Sequence, residues 1–295
     1  MIRKPNFFLI GPPRSGTTAL WTYLKQHPDI YMPDKHKELM YFAKDLHPNR
    51  ETFKSYLYWF KDVKNEKCIG ESTPFYLYSK VAAKEIKEFS PKSKIIITLR
   101  NPVDVMYSWY YFNLRTKTET ESFKRALELI PKREKNESVP ANAKSVRYRL
   151  YYKNLVTYSS QVKRYLNIFK REKIKFIIFE DFKNNEKKVY KEILRFLDVN
   201  KSYVPNKFEK IKTNKVVRSK IIREIYSNRK IRKIAQKRLP LRIRNFGNIL
   251  KNINLKEEKR KPLDNELKKK LMKEFIKDID TLSSLIKKDL SFWYK

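Results

Sequence analysis

No stretch of the chain constrains its fold more than Phe7 to His27, FFLIGPPRSGTTALWTYLKQH. Four apolar residues, Phe7 to Ile10, predict a short buried strand. A tight turn follows, in which Gly11 and Gly16 bracket Pro12, Pro13, Arg14 and Ser15. From Thr17 the pattern turns helical, with Leu20, Tyr23 and Leu24 along one side. Strand, glycine-bounded loop and helix start form the layout that aims main-chain N–H groups at a phosphate. The chain holds only four glycines, and two of them stand in this turn, where a side chain would be hardest to accommodate.

ATP-binding loops of this type carry Lys and then Ser or Thr directly after the second glycine. Here Thr17 and Thr18 follow Gly16, and the cation, Arg14, lies inside the loop. A plain strand-to-helix turn is the alternative reading. The loop resembles the 5′-phosphosulfate loop of sulfotransferases that use 3′-phosphoadenosine-5′-phosphosulfate (PAPS). The heparan-sulfate-type and related bacterial members, with a loop like P-x-[RK]-[SG]-G-T-T, are the nearest in pattern. That resemblance assigns the donor's 5′-phosphosulfate to Pro13, Arg14, Ser15, Gly16, Thr17 and Thr18.

Further strands are expected at Lys67–Ser72 (KCIGES), Ile95–Leu99 (IIITL) and Lys175–Glu180 (KFIIFE). The second of these is continuously apolar and β-branched, as in a parallel sheet buried on both faces. Helical patterns intervene at Thr52–Phe60, Tyr78–Phe89, Val103–Arg115, Phe123–Ile130 and Val189–Leu197. A long helix is expected from Tyr148 to Phe169, with Tyr151, Leu155, Tyr158, Val162 and Tyr165 completing one packed stripe. The segment after the first helix, through Pro28 and Pro33, reads as loop. The last third shows two helical patterns, one basic around Ile221–Tyr226 and one from Leu267 to Ile286, and no strand. Alternating strands and helices predict an α/β fold, with a central parallel sheet flanked by helices in three P-loop-like layers. A helical C-terminal extension completes a single domain over residues 1–295.

A second motif is TLRNPVDVMYSWYY, Thr98 to Tyr111, where a strand ends in Arg100 and Ser108 lies two turns into a helix. A cation at the carboxyl end of a strand is where open α/β sheets place ligand contacts. The sulfotransferase motif L-R-[DN]-P-x-[DE]-x-x-x-S-x-[YW] is similar. In that family its Arg and Ser hold the 3′-phosphate, which here implies Arg100 and Ser108. The bland alternative pairs Arg100 with Asp104. The segment Lys37–Phe42 resembles K-E-x-[HQ]-F-F, which gives Glu38 the role of base toward the acceptor, with Lys37 beside it and His36 as the runner-up base. Gly70–Pro74 resembles G-E-K-[ST]-P, with Ser72 in place of the lysine and Glu71 read as structural. Arg218, in a late basic loop, is the remaining phosphate contact that the resemblance implies.

Lys and Arg number 69 against 32 acids, a net charge of +37. The excess is steepest in residues 201–250, where 16 basic residues face only Glu209 and Glu224. Such charge attracts polyanions in general and does not choose among them. Cys68 is the only cysteine, so no intramolecular disulfide forms, and a reducing, cytoplasmic setting is expected. No run is long enough to span a membrane, and none near the start forms a signal peptide. His27, His36 and His47 lack ligand spacing, and no metal is expected. The expected reaction moves the sulfuryl group of PAPS to a hydroxyl, less readily an amine, of a saccharide or glycolipid, leaving adenosine 3′,5′-bisphosphate. The basic C-terminal part is expected to meet anionic glycans or a membrane surface rather than nucleic acid. A P-loop kinase or NTPase, and a polyanion-binding protein with a vestigial site, are the rival classes.

Overall fold

The computed structural model describes residues 2–205, 208, 215–217, 255–257 and 260–295. The chain forms two compact units, Met1–Glu209 with Asp264–Lys295, and Lys210–Leu263.

The first unit is built on a five-stranded parallel sheet. Its strands are β1 (Phe7–Ile10), β2 (Ile30–Tyr31), β3 (Cys68–Ser72), β4 (Lys94–Leu99) and β5 (Ile174–Ile178). They lie in the order β2-β3-β1-β4-β5, each neighbouring pair parallel. All four residues of β1 and the Ile95–Ile97 run and Leu99 of β4 are fully buried, the fate of apolar strands covered on both faces. The chain leaves β1 toward β3 on one side and returns to β4 on the other. The crevice at the carboxyl ends of β1 and β4 is therefore the topological switch point, where open α/β sheets bind ligands. The register, Ile10 opposite Ile97, brings the turn after β1 beside the turn after β4.

Ten α-helices are described: α1 (Thr17–Leu24), α2 (Phe53–Tyr58), α3 (Ala82–Phe89), α4 (Pro102–Arg115), α5 (Phe123–Glu128), α6 (Ile130–Glu134), α7 (Tyr158–Ile168), α8 (Phe179–Asn184), α9 (Glu186–Leu197) and α10 (Asn265–Ile286). The helix expected over Leu267–Ile286 is α10, and it buries Leu271, Phe275, Ile279, Leu282 and Ile286. It packs on α7 and α4.

Three expectations are corrected. The stripe from Tyr148 to Phe169 is not one helix. It runs through 3-10 turns at Ala141–Leu150 and Asn154–Val156 before α7 begins. Tyr148, Leu155, Tyr158, Val162, Tyr165 and Phe169 are nonetheless all buried. The helix starts at Tyr158 because a remote carboxylate caps it, Asp278 of α10 accepting from the N–H groups of Tyr158 at 2.8 Å and Ser159 at 3.2 Å. The proline-bounded stretch read as loop contains β2, a two-residue edge strand. Finally, the last third does contain strand. In the second unit β6 (Lys215–Val217) and β7 (Leu255–Glu257) pair antiparallel. Three-residue strands are too short to leave a period-2 signal. The helix expected around Ile221–Tyr226, and Arg218, lie outside the described residues.

Candidate active site

The turn after β1 is shaped by contacts that leave no room for side chains. At Gly11 (φ 150°) a Cβ would lie 2.2 Å from Thr98 Oγ1 and 2.5 Å from the Thr98 carbonyl, so only glycine lets the turn press onto β4. Ser15 is buried and bridges the same two elements. Its Oγ donates to the Pro12 carbonyl at 2.7 Å and lies 2.6 Å from Thr98 Oγ1, which in turn donates to the Ile10 carbonyl at 3.2 Å. Arg14 has φ 70°, a left-handed conformation that costs a non-glycine residue about 1 kcal/mol or more. Gly16 (φ 94°) caps α1 with no side-chain hydrogen bond. A helix start of this kind, with no capping side chain, is where anions bind.

The turn after β4 supplies the second half. Asn101 caps α4, its Oδ1 accepting from Val103 N–H at 3.0 Å and Asp104 N–H at 3.2 Å. Its Nδ2 donates to the Trp293 carbonyl at 2.9 Å. Trp293 is itself tied by Nε1 to Glu180 at 3.2 Å. So capped, α4 carries Ser108, which is buried, toward the first turn. Arg14 Nε donates to Ser108 Oγ at 2.9 Å. Arg100 donates through Nη1 to the Arg14 carbonyl at 3.1 Å, and its guanidinium stands 4.4 Å from the Phe179 ring centroid. The Arg100–Asp104 pair exists but is long, 3.5 Å, with Asp104 half exposed. Arg100 Nε is buried without a hydrogen-bond partner. Its guanidinium is therefore not saturated by Asp104, and a buried donor left unpaired is costly. A phosphate oxygen suits it.

The segment after β2 closes on the helix start. Lys37 Nζ donates to Thr17 Oγ1 at 3.3 Å and to Glu38 Oε1 at 3.3 Å. An ammonium from another element thus reaches the residue that follows Gly16. Burial lowers the Lys37 pKa, and the neighbouring Glu38 carboxylate opposes that fall. His36, by contrast, tilts against the Trp59 ring at 5.1 Å. Ser72, which stands in the motif's lysine position, is buried with its Oγ unpartnered. Lys35 is exposed.

Pro13, Arg14, Ser15, Gly16, Thr17 and Thr18 form one loop, and Arg100 and Ser108 meet it. Lys37 and Glu38 adjoin its helical end. Four residues that sequence reasoning did not assign also shape the site. Phe179 lies under Arg100 and would be met at 3.1 Å by a Cβ on Gly16, and Asn101, Glu180 and Trp293 fasten the start of α4. Asn101 stood inside the second motif, and Phe179 and Glu180 at the end of the run read as a strand, but neither place gave their roles.

A family model described as "Sulfotransferase domain" matches residues 4–282. The chain belongs to the sulfotransferase family. The sulfotransferase from Alicyclobacillus acidocaldarius has a similar solved structure, with a TM-score of 0.74, 28% identity and full coverage of both chains. Among curated relatives, the membrane-associated sulfotransferase kil1 of Dictyostelium discoideum is 36% identical over 111 residues, 38% of this sulfotransferase and 23% of that protein. The human bifunctional heparan sulfate N-deacetylase/N-sulfotransferase 3 is 27% identical over 210 residues, 67% and 22% of the two chains. The chain thus matches less than a quarter of the length of either relative. No helix among the described residues is long and apolar enough to cross a membrane.

Proposed function

We propose that this sulfotransferase takes PAPS as its donor and transfers the sulfuryl group to a hydroxyl, less readily an amine, of a saccharide or glycolipid acceptor. The observation that carries the reading is the 2.9 Å bond from Arg14 Nε to Ser108 Oγ. It joins two motifs 94 residues apart, one suited to a 5′-phosphosulfate and the other to a 3′-phosphate. The unpartnered Nε of Arg100, and an α1 N-terminus whose cap residue Gly16 makes no side-chain bond, fit a ligand with anionic groups at both ends of one ribose.

In this reading Pro13 to Thr18 cradle the 5′-phosphosulfate, and Arg100 and Ser108 hold the 3′-phosphate. Glu38 accepts the proton of the acceptor hydroxyl as its oxygen bonds to sulfur. The bond from sulfur to the bridging phosphate oxygen breaks, and adenosine 3′,5′-bisphosphate leaves. Lys37 and Arg14 offset the charge that gathers on the leaving oxygen, the electrostatic part of the catalysis. The lowered Lys37 pKa also suits proton donation there. The lone Cys68 supports a reducing, cytoplasmic setting. Saccharide as acceptor class follows the heparan sulfate named for one relative. The basic stretch of residues 201–250, most of which lies outside the described residues, is read as a contact for anionic glycans or membrane lipid.

Calorimetry with adenosine 3′,5′-bisphosphate, ATP and 5′-AMP, without magnesium, tests the donor site. Preference for the bisphosphate is expected. Preference for ATP would revive the kinase reading, and equal binding of all three would leave only polyanion attraction.

A further inference from the structure

Behind the acceptor side of the site lies a carboxylate to which the transfer step gives no role. Glu71, on β3, is almost fully buried. Three hydroxyls donate to it: Tyr76 at 2.5 Å and Thr73 at 2.9 Å to Oε1, and Tyr56 at 2.6 Å to Oε2. Two of these hydroxyls are also acceptors. The Met40 N–H donates to Thr73 Oγ1 at 3.4 Å, and the Phe42 N–H donates to Tyr76 Oη at 3.2 Å. A hydroxyl has one proton. Because Thr73 and Tyr76 spend theirs on Glu71, their lone pairs are turned toward the two amides.

We propose that Glu71 is a positioning residue, its buried carboxylate fixing, through Thr73 and Tyr76, the main chain of the segment that carries Lys37 and Glu38. The role rests on the reading of Glu38 as the base. The anchored segment needs holding, since Met40 sits at φ 57°, a left-handed conformation unfavourable for its side chain. Phe42 completes the attachment by packing edge-on against Phe8 and Tyr56.

The anchor depends on charge. A carboxylate accepts hydrogen bonds about twice as strong as a neutral carboxyl does, and polarised hydroxyls are better acceptors in turn. On protonation one carboxyl oxygen becomes a donor with reduced acceptor capacity, where the carboxylate only accepted. The groups facing Glu71 are Tyr56 of α2, Tyr76 and Thr73 of the turn after β3, Tyr41 stacked on Tyr56 at 4.3 Å, and Tyr165 of α7, whose own hydroxyl donates to the Tyr76 carbonyl at 2.8 Å. Beyond this shell Asp45 and Arg164 act on Tyr165. Burial pushes the Glu71 carboxyl up to about 7, against the three hydroxyl bonds that pull it down, so the anchor changes strength near neutrality.

Amide hydrogen exchange on the full chain reads this directly. Rates at Met40 and Phe42 are measured from pH 5.5 to 8.5, corrected for intrinsic exchange, in the wild type and in Glu71→Gln. Bisphosphate binding is measured alongside. Protection of both amides in the wild type should fall several-fold, up to about tenfold, as pH drops through 7 and the charge-assisted bonds weaken. Glu71→Gln should show the low protection throughout, without a pH step, and bind the bisphosphate as the wild type does. A flat wild-type profile, or unchanged protection in Glu71→Gln, overturns the proposal. If that variant does not fold, Tyr76→Phe should expose Phe42 to exchange and spare Met40, and an unaltered Phe42 overturns it equally. Failure of the wild type to bind the bisphosphate would strike the donor-site reading alone, so the two fail separately.

Discussion

Arg100 donates to the main-chain carbonyl of Arg14 at 3.1 Å, so the cation at the end of β4 also braces the turn that follows β1. In the proposed reading, replacing it removes a charged ligand contact and a support at once. Arg100→Ala should weaken adenosine 3′,5′-bisphosphate by ten- to a hundredfold, from the roughly 1.5–3 kcal/mol of a hydrogen bond to a charged group. For 5′-AMP the loss should be only a few-fold, reflecting the missing brace. Equal losses in calorimetry would sink the 3′-phosphate assignment.

Glu38→Gln keeps the shape of the side chain and removes its basicity. Turnover of PAPS with an acceptor, followed as bisphosphate release, should drop by about a hundredfold or more, while donor binding stays within twofold. Retained turnover would move the base to His36 or elsewhere.

Gly16→Ala puts an L side chain at φ 94° and a methyl 3.1 Å from Phe179. About 1–2 kcal/mol of stability should be lost, seen as a melting temperature lower by a few degrees. An unchanged melting curve would show that the turn relaxes at no cost.

Arg133 and Glu119 form a fully buried ion pair, with contacts of 2.7 and 2.8 Å, and Tyr152 adds a hydroxyl at 3.0 Å. Removing one partner strands the other charge. Arg133→Ala should cost about 3–5 kcal/mol in denaturant unfolding, whereas the double variant Arg133→Met, Glu119→Leu should recover most of it. Equal stability of the single and double variants would contradict this account. The Glu119 carboxyl opposes its burial with the Arg133 bonds and is held below the ordinary range. Its contribution is therefore present above the ordinary carboxylate pKa and is lost as pH falls through the lowered value.

Glu71 runs the other way. Its pKa rises from 4.5 to about 7 on folding, so the folded chain holds the proton more tightly than the unfolded one. That contribution to stability is full below pH 4.5 and disappears as pH rises to 7, a change of about 3 kcal/mol. Urea midpoints of wild type and Glu71→Gln at pH 5 and 8 measure it: the wild type should lose ground to the variant at the higher pH. Parallel profiles would mean that Glu71 does not titrate in this window.

Residues close together in sequence gave away most of the fold and the two turns that meet at the candidate site. The apolar runs at Phe7–Ile10 and Ile95–Leu99 are β1 and most of β4, and the Gly11–Gly16 turn stands where its spacing put it. The Tyr148–Phe169 stripe shows the limit of periodicity: burial was legible and helix was not, because the helix start is set by Asp278, far along the chain. The same holds at Glu71 and at Lys37. A carboxylate held by Tyr56, or an ammonium set on Thr17, is made by tertiary packing, and no local pattern encodes it.

The link from Asn101 to Trp293 spans 192 residues, and it has a consequence for biosynthesis. A ribosome that has made the β4 turn must add that many more residues before the cap of α4 is fastened. At roughly 5–20 residues per second that is a delay of about ten to forty seconds. Through that interval the turn after β4 lacks the tie that Trp293 gives it.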